Sequence, residues 1–376
     1  MRIIQINMQP HFGGGEVYTA FLCRALSTLG VQTRLLHHRE AAFWNKLQLP
    51  ADTELVAVAD RQEIERALPP GRHWVLTHGG LPHGLDSIGQ HLLTGIAHMP
   101  VQGRDPAQYR GLHKVFAVSR YVLDGLLAAG IAAWPEPLYG VANLQERGSA
   151  TAVGLRQRSC YDWDRRKVRD RLLGYCEPLL EPLRTRPVFT KRAGLTLGIV
   201  SRLTPIKQFP LLFTKLAPVL ARVPGVNLEI FGAGGYASVR DLRRALAPIR
   251  SRVRFWGHQA DVATVYAQLD YLLSGLPEKE ALGLNVIEAQ ACGTPVLAPV
   301  APPFTETVVD GVTGFLYRDP RQDDGAEFSV LLNRLVSLPQ ALDPRQAADH
   351  LAKFSFDTFV ERLRPVVDWA RIHTPE

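Results

Sequence analysis

The chain has 376 residues, 46% of them hydrophobic and 21% charged, which gives room for two domains and the balance of a soluble globular protein. No uninterrupted apolar run reaches the roughly 18 residues of a membrane-spanning helix. The four cysteines, Cys23, Cys160, Cys176 and Cys292, form no C-x-x-C pair and no metal spacing, so a reducing cytoplasm is expected and a structural metal is not. The formal net charge is +7, and most of the excess is local, because residues 151–192 hold eleven Lys and Arg against five Asp and Glu.

Residues 2–7 (RIIQIN) read as a strand, 16–30 as a helix and 32–38 as a second strand. The opening is read as this strand and not as a signal peptide, which needs a longer apolar core and a small-residue cleavage site. Short buried strands follow at 73–78, 95–100 and 114–119, then a helix at 120–130 closed by Gly130. Residues 151–192 break the pattern. Trp163, Val168, Leu172 and Tyr175 form a rough apolar stripe beside arginines, which suits either a solvated helix face or a helix lying on anionic lipid. No nucleic-acid reading motif accompanies the charge, so that partner is not expected. Alternation then restarts, with strands at 195–201, 226–232, 253–257, 271–275 and 295–300. The helices between them lie at 209–223, 239–249, 260–270 and 283–293. A final helix covers 355–373. Two rounds of α/β alternation predict two doubly wound parallel-sheet domains, at 1–188 and 189–355, with 356–376 as a trailing helix.

Several constellations stand at predicted strand ends, where open α/β sheets bind ligands. In EKEALGLNVIEAQACGTPV (278–296) Glu280 and Glu288 lie eight positions apart. On one helix they would sit about 80° apart, and the intervening glycine opposes an unbroken helix. A loop turning into a helix near Gly283 is expected, with amides of Gly283, Leu284 and Asn285 at an anion-binding helix N-terminus. The helix stops at Gly293, before Pro295. In SRLTPIK, Arg202 and Lys207 offer two cations for a diphosphate. Gly13, Gly14 and Gly15 lie between the first strand and helix, where glycines permit positive φ and close ligand approach, without forming G-x-G-x-x-G. FGAGG, with Gly234, is a second such loop. His98 and His78 both end strands. The D-W-D at 162–164 is read as chance. Taken singly, each feature is equally an ordinary turn, surface pair or structural histidine.

Taken in order, the glycine-rich first loop, His98, R-x4-K, the G-x-G strand end, E-x7-E and the trailing helix resemble the retaining GT-B glycosyltransferases, specifically glycosyltransferase family 4 (glycosyl transferases group 1). The likeness spans nearly the whole chain and is strongest from Leu195 to Leu316, through GIVSRLTPIK, LEIFGAGG, FWGH, EALGLNVIEAQACGTPVLAP and ETVVDGVTGFL. It implies two Rossmann-like domains facing a cleft, with the last helix crossing back to the first domain. A UDP- or GDP-sugar would bind the C-terminal domain as co-substrate, with no other cofactor and no metal. Arg202 and Lys207 would stabilise the leaving diphosphate, Glu280 would contact sugar hydroxyls, amides of Gly283, Leu284 and Asn285 the sugar and phosphate, and Glu288 the ribose. Gly13–Gly15 would approach the diphosphate, His98 would lie near the transferred sugar, and His258, in FWGHQAD, would frame the base. The resemblance also implies same-face transfer with retention, no covalent enzyme nucleophile, and a saccharide or lipid-linked acceptor in envelope polysaccharide or lipopolysaccharide synthesis. The setting would be cytoplasmic, with the basic stretch at the inner face of the membrane. An epimerase or phosphorylase-like enzyme on the same fold, and a non-catalytic nucleotide-binding protein, are the alternatives.

Overall fold

The computed structural model describes residues 1–80, 90–142, 154–163, 168–180, 186–337 and 342–374. Asp164 of the D-W-D lies outside them, as do residues 165–167 of the basic stretch. The chain forms two compact units, Met1–Ala142 with Ala352–Glu376, and Asn143–Leu351.

The first unit holds β1 (Arg2–Asn7), α1 (Gly14–Thr28), β2 (Gln32–His38), β3 (Thr53–Val58), α2 (Arg61–Ala67), β4 (Trp74–His78), β5 (Leu92–Ala97), β6 (Lys114–Ala117) and α3 (Arg120–Ala128). Its sheet runs β3-β2-β1-β4-β5-β6, with every pairing parallel. Parallel strands are covered by helices on both faces and so read as apolar runs. Accordingly β5 is buried along its whole length and β1 after its first residue. Helix α3 begins where the Ser119 side chain accepts the Val122 N–H, and it ends as Gly130 turns left-handed at φ 68°. The terminal helix, α13 in chain order (Phe356–His373), is capped by Ser355 and packs on α1. The Phe359 ring lies 5.2 Å from that of Phe21 and 5.7 Å from that of Tyr18.

The second unit holds α4 (Val168–Leu180), β7 (Leu195–Val200), α5 (Phe209–Arg222), β8 (Val226–Phe231), α6 (Tyr236–Ala245), β9 (Val253–Gly257), α7 (Val262–Tyr266), β10 (Tyr271–Leu273), α8 (Leu284–Ala291), β11 (Val296–Pro299), α9 (Phe304–Thr307), β12 (Gly314–Tyr317), α10 (Pro320–Asp323), α11 (Ala326–Ser337) and α12 (Ala348–Ala352). Its parallel sheet runs β12-β11-β10-β7-β8-β9. Leu212, Phe213 and Leu216 of α5 pack into one core with Ile199, Leu228 and Ile230 of the sheet.

The expected boundary at 188/189 falls instead at 142/143. Backbone pairing explains the difference. Arg158 N–H donates to the Trp256 carbonyl at 2.9 Å, and Asp162 N–H donates to that of Gly234 at 2.9 Å. Residues 154–163 thus run across the carboxyl ends of β9 and β8 and belong with the second sheet. Asp162 and Trp163 lie outside any helix, where a helical setting was expected.

Candidate active site

Each sheet reverses its strand order once, between β1 and β4 in the first unit and between β7 and β10 in the second. Crevices at such points, beyond the carboxyl ends of the strands, are the usual ligand sites of doubly wound folds.

In the second unit, β7 ends at Val200 and leads through Ser201 and Arg202 into a single turn at Pro205–Lys207. This loop is sewn to the one after β8. Ser201 N–H donates to the Phe231 carbonyl at 3.1 Å and Leu203 N–H to that of Ala233 at 2.8 Å. A Cβ on Gly232 or Gly234 would collide with the carbonyls of Ser201 and Leu203, so the G-x-G here is a packing requirement. Gly234 also donates its N–H to the Cys160 carbonyl at 3.0 Å, while its own carbonyl accepts from Asp162. Both polar groups of Gly234, expected above at the donor, are thus paired within the protein, and it holds the loop that carries Arg202.

From the other side of the reversal, β10 ends at Leu273 and Gly275 follows. A Cβ there would press on the Lys207 carbonyl at 3.1 Å, and this close approach brings two distant stretches of sequence together. Lys207 Nζ donates to Glu280 Oε2, with the two side chains 29% and 17% exposed. Glu280 Oε1 accepts the Gly283 N–H at 3.2 Å. Gly283 is left-handed at φ 81° and caps α8, a geometry that glycine adopts without strain. The N–H groups of Leu284 and Asn285, first in α8, have no intrahelical carbonyl to meet. Asn285 spends its side-chain amide on the Val200 carbonyl at 3.1 Å, pinning α8 to the end of β7. One turn on, Glu288 accepts from the Tyr266 hydroxyl at 3.0 Å. A fixed cation, a carboxylate and a positive helix end thus meet at one sheet edge, a combination suited to a phosphorylated, hydroxyl-rich ligand. His258 stands exposed one residue past β9, beside residues 156–159. Among the described residues no hydrogen bond joins it to the Lys207–Glu280 pair.

In the first unit, Gly14 and Gly15 are already in α1, and Gly13, its cap, is extended at φ −170°. The left-handed turn that three glycines allowed is absent among these residues. A Cβ on Gly15 would meet no atom within 4 Å, so the surrounding protein does not itself demand glycine there. His98 directly follows β5. Its Nε2 lies 2.9 Å from His78 Nδ1, and His78 Nε2 lies 2.8 Å from Gln5 Oε1. Thr19 Oγ1 stands 3.1 Å from His78 Nδ1, accepts from Asn7 and donates to the Gly15 carbonyl at 2.9 Å. Burial depresses both imidazoles, His98 to about 4 and His78 well below its ordinary range, where the neighbouring His98 adds to the effect. Both rings are neutral near pH 7. Sequence reasoning missed Gln5 and Asn7, although polar residues in a strand otherwise buried were a legible signal; both are at most 1% exposed.

Residues 194–336 match the family model for glycosyl transferases group 1. The D-inositol 3-phosphate glycosyltransferase of Rhodococcus erythropolis is 34% identical over 182 residues, covering 45% of this chain and 40% of that protein. The protein of the same name from Mycobacterium marinum is 32% identical over 196 residues, covering 47% and 41%. The matched region is thus less than half the length of these relatives. Among solved structures, Anabaena Alr3699/HepE in complex with UDP and glucose superposes with a TM-score of 0.70 at 18% identity, over 98% of this chain and 99% of that one. WaaG, a glycosyltransferase involved in lipopolysaccharide biosynthesis, superposes with a TM-score of 0.56 at 15% identity over the full length of both. The chain therefore has the GT-B fold, and its second unit carries a glycosyl transferases group 1 domain.

Proposed function

We propose that the protein transfers a sugar from a nucleotide-sugar, a UDP- or GDP-sugar, to a saccharide or lipid-linked acceptor, with retention of anomeric configuration and without a metal ion. The observation that carries this reading is the meeting of Lys207, Glu280 and the α8 N-terminus at the strand-order reversal of the second sheet. Negative charge develops on the leaving diphosphate, and a preorganised cation and helix amides stabilise it more in the transition state than in the ground state. Lys207 takes that role with Arg202. Glu280, held between Lys207 and Gly283, receives sugar hydroxyls, and Glu288 the ribose. His98 and Gly13–Gly15 serve the sugar and diphosphate from the first unit, and His258 the base. The leaving phosphate oxygen assists deprotonation of the acceptor on the same face, so no enzyme nucleophile is used. The UDP bound in the Anabaena structure supports a nucleotide-sugar donor, and the names of the inositol-phosphate relatives support glycosyl transfer.

The test incubates purified protein with UDP- and GDP-sugars and a panel of saccharide acceptors, following the product anomer by proton NMR. Retention is expected, with a rate unchanged by EDTA. An inverted product overturns the stereochemical assignment, and conversion of donor without acceptor favours the epimerase-like alternative.

The proposed setting is the inner face of a membrane, in envelope glycan synthesis. No helix among the described residues is long and apolar enough to span a bilayer. Helix α4 nevertheless presents Val168, Leu172 and Tyr175, 63%, 60% and 71% exposed, within a stretch of positive excess. Such a face suits anionic lipid. Co-sedimentation with phosphatidylglycerol vesicles at low salt is expected, and its absence removes this part of the reading.

A further inference from the structure

The polar chain at the strand-order reversal of the first sheet has a direction. Gln5 donates its amide to Cys23 Sγ at 3.4 Å, which turns Oε1, an acceptor only, toward His78 Nε2. That nitrogen must carry the proton, because two lone pairs 2.8 Å apart would repel. A neutral His78 then has a bare Nδ1, and the contact with His98 is made only if His98 Nε2 donates. Thr19 Oγ1, 3.1 Å from the same Nδ1, has one proton, which the Gly15 carbonyl takes at 2.9 Å, so the assignment rests on Gln5 alone. The two rings stack at 12°, and Tyr18 packs edge-on against His98 at 5.0 Å between ring centroids. Tyr18 is itself tied by its hydroxyl to the Leu138 carbonyl at 2.8 Å, so ring rotation is opposed on both sides. His98 Nδ1 makes no hydrogen bond among the described residues.

We propose that His78, oriented by Gln5, is a positioning residue that holds His98 as its Nε2–H tautomer and leaves the Nδ1 lone pair to accept a hydrogen bond from a hydroxyl of the bound sugar. The sugar ligand rests on the transfer reading above; the tautomer does not. The pairing also needs β4 and β5 in register, which places His78 opposite Ile96, two residues before His98. The role differs from that of a catalytic base, because a ring this deeply desolvated gains nothing from holding a proton.

The test is a two-bond proton–nitrogen correlation spectrum of the histidine rings in full-length 15N-labelled protein. In the wild type, both His98 and His78 should be neutral Nε2–H tautomers from about pH 6 to 8. His78→Phe removes the acceptor. It should mix the His98 tautomers and lower sugar transfer about tenfold, the effect of one lost hydrogen bond. His78→Asn, whose Oδ1 stands in for Nδ1, should restore both. An Nδ1–H His98 or an imidazolium in the wild type overturns the proposal, as does a His78→Phe spectrum and rate like those of the wild type. The wild-type and His78→Asn spectra decide the tautomer if His78→Phe fails to fold. The spectrum needs no turnover, so its outcome is independent of whether the transfer reading survives.

Discussion

Replacing Lys207 by alanine separates what the Lys207–Glu280 pair does for stability from what it does for chemistry. Its side chains are 29% and 17% exposed, so solvent still screens the charges, and the pair contributes about 1 kcal/mol or less to folding. Glu280 also keeps its Gly283 amide at 3.2 Å and is not left bare. For a unit of this size, 1 kcal/mol is a melting shift of about 2–4 °C. The effect on transfer is of another order. Losing one preorganised group that meets transition-state charge costs about 10²- to 10³-fold in kcat, or 2.7–4 kcal/mol. The assay pairs a thermal melt with nucleotide release from a UDP- or GDP-sugar in the presence of acceptor. A melt within a few degrees of wild type and a rate at least a hundredfold lower (about 10²) are expected. A rate within about threefold of wild type, under 1 kcal/mol, would refute the diphosphate role.

Gly283→Ala forces a left-handed alanine at φ 81° and sets its methyl 3.2 Å from Val286 Cγ2, so a loss of about 1–3 kcal/mol in urea unfolding, with weaker donor binding, is expected. Phe359→Ala empties a site 1% exposed against Tyr18 and Phe21 and should cost about 3–5 kcal/mol, read as a lower denaturation midpoint. For acid stability the sign follows from lowered histidine pKa values. His98 titrates near 6.5 unfolded and about 4 folded, so its contribution is whole above 6.5 and is lost as pH falls toward 4. Melting temperature should therefore drop across that window, and less steeply in His98→Gln.

Much of the second unit was legible because its chemistry is local in sequence. Gly283 divides EKEALGLNVIEAQACG where a helix cannot run on, and the helix found, Leu284–Ala291, begins at the next residue. Parallel strands buried on both faces gave apolar runs that could be placed by eye. The half-exposed edge strand β3 and the short β12 left no such run. Other features depend on tertiary neighbours. Residues 154–163 have no periodicity, and their place is set by backbone bonds to Gly234 and Trp256. Gly234 looked like a ligand loop because close backbone approach to protein and to ligand calls for the same residue. His78 and His98 were each visible as strand ends, but their pairing depends on β4–β5 register and on Gln5, which one sequence window does not contain.

The most direct measurement is a thermal-shift titration of the wild type and Lys207→Ala with UDP-, GDP- and ADP-sugars. A donor at about a hundred times its Kd stabilises the folded state by about 2.7 kcal/mol. The wild type should rise with one donor class, UDP or GDP, and Lys207→Ala should need markedly more of that donor for the same rise. No shift with any nucleotide-sugar, or equal titrations of the two proteins, would contradict a donor site built on Lys207, Glu280 and the start of α8.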